Sequence, residues 1–304
     1  MSQHSNARSI SRRRLFLLLA GSFGLGATAA IGGIRIWDSF ESPFRPYGEV
    51  LNQAIRPDGV RTSISFGNSI QHLIAAGALD PEKLGSYYRA TIGLPDWIRQ
   101  LFSTPSAEPI HLSFKTAPYL LNLLWPLGLS NKAAFNTHSP INGPEGASFA
   151  STGGWRFGKQ ESGAVYFNAA AAVPLTEAQE RTVLDVANNV YRPCCDNSTF
   201  FQDCNHGSAL LGLIELAASQ GATIEELYRI ALAANTYWFP EQYAKTALYL
   251  AIFEGRSWND VPPDLILDPR FSSLSGWRRN VNERLRLASF MPRTGQMRQG
   301  ACAV

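Results

Sequence analysis

The chain has 304 residues, 45% of them hydrophobic and 17% charged, enough apolar material for one large core or two small ones. Its formal charge of +3 makes no case for a nucleic-acid partner, because no basic stripe with interleaved aromatics occurs in it. No stretch is of low complexity.

Residues 1–36 stand apart from the rest. Arg12, Arg13 and Arg14 precede a Gly- and Ala-rich apolar run from Leu15 to Ile34, the order of an export signal. Within it, Arg13-Arg14-Leu15-Phe16-Leu17 resembles the twin-arginine translocation signal, two arginines followed by a variable residue and an apolar pair. That resemblance covers the leader only. It implies the twin-arginine export machinery as a partner, a periplasmic or extracellular destination, and export of cargo already folded, often with its cofactor inserted. Ala27-Thr28-Ala29 offers a small-residue cleavage site, and the run from 15 to 34 approaches the length of a membrane span. A cleaved leader and a retained anchor both stay open. Removing residues 1–29 takes away Arg8, Arg12, Arg13 and Arg14 and no acid, which leaves the remainder near neutral.

Trp37 to Pro57 carries Pro43, Pro46, Pro57 and Gly48 among aromatics and reads as an extended lead-in. From Asn68, Ile70, Leu73 and Ile74 fall at helical spacing; Gly77 ends that turn and Asp80-Pro81-Glu82 opens the next helix. His72 in this hairpin reads as a packed or surface side chain. Leu94–Phe102 and Phe114–Leu129 continue the helical pattern, and Tyr119 to Trp125 is apolar on most of its circumference, a core helix in which Asn122 needs a partner. From Asn136 to Leu175 the composition turns to Gly, Ser, Pro and aromatics. A loop this long inside a compact domain tends to serve function, here as a lid over a site or as a surface connector with a short β-hairpin around Val165-Tyr166-Phe167. Thr176 and Gln179 form a capping box that starts a helix stopped by Pro193.

Tyr191 to Gly207 holds three of the four cysteines and one of the five histidines. Cys194, Cys195, Cys204 and His206 supply the thiolate and imidazole donors that suit zinc, copper(I) or iron, and four donors complete a tetrahedron. Asp203 or Asn205 reads as the N-cap of the next helix, placing Cys204 and His206 in a first turn whose dipole favours thiolate. Adjacent cysteines tend to point apart, unlike the spaced pairs of common zinc modules. Two other readings therefore stay open: a disulfide staple from Cys204 to one of the pair, worth about 2–3 kcal/mol, and a redox-active thiol pair. Cys302 lies in a tail that reads as flexible, outside any site. His138 and Glu145 of the long loop are candidate outer partners.

Gly207 to Gln220 is apolar almost all round, with Glu215 needing a partner. Thr223 and Glu226 cap the following helix by the same box. Thr236 to Tyr243 is an aromatic turn that plugs the core or closes over the cysteines, and the arginines at 278, 279, 284 and 286 form a solvated face.

The block Arg192-Pro193-Cys194-Cys195-Asp196-Asn197-Ser198, then Asp203-Cys204-Asn205-His206-Gly207, resembles uncharacterised exported bacterial proteins with a Pro-Cys-Cys and Asp-Cys-Asn-His-Gly signature. The likeness extends upstream through Leu120 to Leu129 and Ser151 to Trp155. A shorter likeness is to the helical thiol subunits of cytochrome c maturation, without their Cys-x-x-Cys spacing.

The expectation is a mostly α protein, an irregular helical bundle with one long Gly/Ser/aromatic loop and a short hairpin. Residues 1–36 are a signal or anchor, 37–290 one helical domain with its metal or thiol site in 191–220, and 291–304 a tail. The expected function is exported metal binding through Cys194, Cys195, Cys204 and His206, with structural, storage and electron-transfer roles open. Thiol–disulfide exchange and a stapled, non-catalytic scaffold are the alternatives.

Overall fold

The computed structural model describes residues 47–288. The leader, the first ten residues of the Trp37–Pro57 lead-in, the tail and Cys302 lie outside them.

The described chain is mostly helical. In order come α1 (Gly48–Ala54), β1 (Val60–Arg61), α2 (Ser69–Ala75), α3 (Pro81–Ala90), α4 (Asp96–Ser103), β2 (His111–Leu112), α5 (Ala117–Ser130), α6 (Glu177–Asn189), α7 (Asn205–Ser219), α8 (Ile224–Trp238) and α9 (Pro240–Phe253), then short helical pieces from 263 to 287. The local rules behind these elements are visible. Asp80 accepts from the amides of Glu82 and Lys83 ahead of Pro81, and both capping boxes, Thr176/Gln179 and Thr223/Glu226, are formed in both directions. Gly77 and Gly221 end α2 and α7 at φ of +74° and +85°, where any side chain would be strained.

Two expectations are corrected. Gly48–Ala54 is a helix rather than extended chain, because Leu51 and Ala54 gain burial against α9. Around residues 165–167 there is no hairpin: Gly163–Tyr166 is a 3-10 turn opened by Ser162, and Tyr166 is buried with its hydroxyl accepting from the Gln160 amide. The strand pair that does form among the described residues joins Val60 to Leu112 and Arg61 to His111, antiparallel.

The centre of the molecule is the crossing of α5 and α7. Every residue of α7 from Gly207 to Ala218 is buried. A Cβ at Gly128 would overlap the Ser208 carbonyl oxygen, and one at Gly212 would lie 2.5 Å from the Gly128 nitrogen, so glycine on each helix is what lets the two backbones touch. Asn122 of α5 donates to the Tyr88 hydroxyl at 2.9 Å. One hydrophobic cluster runs from Leu51 to Leu285, and no helix among the described residues is long and apolar enough to cross a membrane.

Candidate metal centre

Helix α6 ends at Asn189, and the chain then makes an excursion to residue 204 before entering α7. Its base is closed by the Thr199 amide on Val190 O at 2.8 Å and by an antiparallel bridge from Tyr191 to Ser198. Two other elements hold its outside. The Leu274 amide donates to Cys195 O at 2.9 Å and the Ser275 amide to the Asp196 carboxylate at 2.7 Å. On the other flank the long Gly/Ser loop and Phe135 just ahead of it lie along residues 200–203, through the Ser151 amide on Asp203 O and ring contacts Phe135–Phe200 and Phe149–Phe201. The loop thus braces the excursion. Its His138 and Glu145 are exposed and stay outside the cysteine group.

Inside the excursion lies Arg192, fully buried. All five of its N–H donors are directed at acceptors: Nε at Cys204 Sγ (3.2 Å), Nη1 at the carbonyls of Asn197 and Ser198 (3.0 and 2.9 Å), and Nη2 at Phe201 O and Asp203 Oδ1 (3.1 and 2.6 Å). Burial disfavours the charge, but the sulfurs of Cys204, Cys195 and Cys194 outweigh it and hold the guanidinium above its usual range. Asn197 completes the network by donating to the other Asp203 oxygen at 2.7 Å.

Around this arginine the excursion gathers the sulfurs of Cys194, Cys195 and Cys204, all within 4.8 Å of one another. The turn that brings the Cys195 amide to Arg192 O, at 3.4 Å, folds the adjacent pair inward instead of splaying it. Cys194 and Cys204 sulfurs are 3.7 Å apart, in contact and well beyond the ~2.05 Å of a bonded pair. Contact with Cys194 pulls the Cys195 thiol down, yet the Cys204 sulfur and burial outweigh it, and this thiol is pushed up to about 12. Three sulfurs this close resist ionising together unless a cation joins them.

The start of α7 differs from expectation. Cys204 itself is the N-cap, its sulfur accepting from the Gly207 amide at 3.4 Å; Asp203 is engaged by Arg192, and Asn205 caps only the His206 amide. His206 does not join the sulfur group. Its ring packs on Phe239 at 4.6 Å and Trp238 at 5.8 Å, with Nδ1 buried and unbonded. Trp238 and Phe239 of the aromatic turn therefore close on the imidazole, while Tyr243 lies near enough to Cys194 for the two to interact electrostatically, and His206 departs from the ligand set read from the sequence. His72 makes an ordinary contact, Nδ1 with Ala172 O at 3.0 Å.

Arg192 is the residue whose role sequence reasoning missed. Its signal was present in Gly207: a Cβ there would come within 2.6 Å of Nη2, so glycine at the third helical position leaves room for a guanidinium beneath the first turn. No family model, curated protein or solved structure matches the chain.

Proposed function

We propose that this is an exported metal-binding protein whose centre is Cys194, Cys195 and Cys204. The mutual approach of three sulfurs carries the reading. The 3.7 Å between Cys194 and Cys204 is about the ~3.8 Å edge of a tetrahedron with metal–sulfur bonds of ~2.3 Å. An all-sulfur set selects a soft or borderline ion, zinc, copper(I) or iron. Three protein donors leave one position for a ligand from outside, the pattern of sites that exchange or activate something rather than merely brace a fold. Arg192, bonded to Cys204 and to the loop carbonyls, orients the sulfurs from behind. The Arg13-Arg14 leader supports export of the folded chain with its ion aboard.

Metal analysis of protein purified without chelator, with thiols counted before and after denaturation, tests this. About one ion per chain and thiols shielded until unfolding are expected. Reactive thiols and no uptake after incubation with zinc, copper(I) or iron(II) would refute it.

A second reading, thiol–disulfide exchange, draws on the Arg192 Nε contact with Cys204 and the neighbouring Cys194. The Cys204 thiolate would attack a substrate disulfide and release one thiolate. Cys194 would then displace the second, leaving Cys194–Cys204 oxidised and the substrate reduced by two electrons. Trapping a mixed disulfide in Cys194→Ser favours this reading, and its absence disposes of it.

A further inference from the structure

Away from the cysteines, a cavity of about 700 Å³ opens between α4 and the ladder that continues from β1 and β2. The ladder extends through Thr62 and Ile64 to Ile110 and through Gly67 to Ser106, so the 104–110 segment forms one wall. Phe66, Leu101, Ile110 and Leu120 supply a buried apolar floor. Trp97 stands half-buried over it, edge-on to Tyr119.

Three donor-bearing side chains of the cavity have no acceptor in the protein, beside lining groups such as His111 and Thr116 that are paired. Among the described residues neither the Arg61 guanidinium, the Trp97 indole N–H nor the Gln100 side-chain amide makes a hydrogen bond or ion pair to the protein. Four of the other described tryptophans, Trp125, Trp155, Trp238 and Trp277, donate to backbone carbonyls, while Trp258 shares with Trp97 an indole that makes no such bond. A volume of this size suits a small molecule, and a few convergent polar groups above an apolar floor fix its orientation. Glu108 on the same rim disfavours polyanions such as nucleotides.

We propose that this cavity binds a monoanionic carboxylate on a flat apolar body, with the carboxylate on Arg61 and the body between Trp97 and the floor. Arginine matches a carboxylate in a two-pronged geometry. The site is separate from the sulfur group and does not depend on any ion there.

Calorimetric titration of the full chain with naphthoate, and with naphthalenemethanol as the uncharged analogue, tests it. One equivalent of naphthoate should bind saturably, more tightly than the alcohol. Arg61→Gln should weaken naphthoate by roughly fivefold, the worth of an exposed charge pair, and leave the alcohol unchanged. Ala107→Trp, at an exposed position of the wall, should obstruct both. Failure of naphthoate to saturate, equal affinity for the two compounds, or an unaltered affinity in Arg61→Gln would overturn the assignment.

Discussion

Replacing Arg192 by lysine keeps the positive charge and removes the planar fork. Lysine offers three donors where the guanidinium offers five, so at least two of the acceptors Cys204 Sγ, Asn197 O, Ser198 O, Phe201 O and Asp203 Oδ1 lose their partner. Each buried acceptor left without a donor costs about 1–3 kcal/mol, which makes the expected destabilisation roughly 2–6 kcal/mol. For a domain of this size each kcal/mol moves the midpoint by about 2–4 °C. Thermal unfolding followed by far-ultraviolet circular dichroism, with reductant present, should show a fall of roughly 4–24 °C. Arg192→Met should fall further, because it also strands the Asp203 carboxylate in a largely buried position. A lysine variant melting within about 2 °C of the parent, smaller than one such loss, would refute the idea that this fork holds the excursion together.

Cys204→Ser should lose the bound ion while melting close to the metal-free parent, since serine is itself a good N-cap for α7 and only the ion's own stabilisation is lost; metal analysis and melting curves of the variant and of the chelator-treated parent check both halves. His206→Ala should keep the metal load and lose roughly 1–3 kcal/mol from its ring contacts with Phe239 and Trp238, and a metal-free His206→Ala would restore the imidazole to the ligand set. Glu215 is fully buried with neither oxygen bonded, and burial pushes its carboxyl well above the usual range despite the opposing Asn131 amide. The folded state therefore holds this proton where the unfolded state releases it. Stability from this group is complete below about pH 4.5 and declines by up to ~1.4 kcal/mol per unit as pH rises towards the folded value. Glu215→Gln should flatten that slope in denaturant titrations between pH 4.5 and 7, and a parallel decline in both proteins would contradict it. Gly207→Ala should destabilise the start of α7 by crowding Arg192, read as faster thiol labelling of Cys204; unchanged labelling would remove the role given to this glycine.

Helix boundaries set by nearest neighbours were legible in the sequence. Asp80 before Pro81, Thr176 with Gln179 and Thr223 with Glu226 each act over three residues, and each formed as read. The gathering of Cys194, Cys195 and Cys204 was legible too, because the three fall in one short window. What escaped depended on partners distant in the chain. His206 went to Phe239 and Trp238, more than thirty positions on, and the two-residue strands β1 and β2 are too short to show any alternation. The burial of Arg192 was hidden because an arginine after an apolar helix end ordinarily faces water. The hairpin expected at Val165 to Phe167 failed for a related reason: Tyr166 turns inward to a buried place in a 3-10 turn and Val165 is left exposed, a choice set by distant packing.

The touching backbones at Gly128 and Gly212 give the sulfur group an uneven mounting. Cys204 rides on a helix locked to the middle of the molecule, whereas Cys194 and Cys195 sit on a strip of chain outside any helix, held by the guanidinium on its inside and by the Leu274 and Ser275 amides on its outside. Deuterium uptake should therefore begin in residues 192–200 long before it reaches 208–218. An incoming ion would meet three sulfurs already gathered, one on a fixed post and two on a softer mount, and a departing one would leave by the softer side.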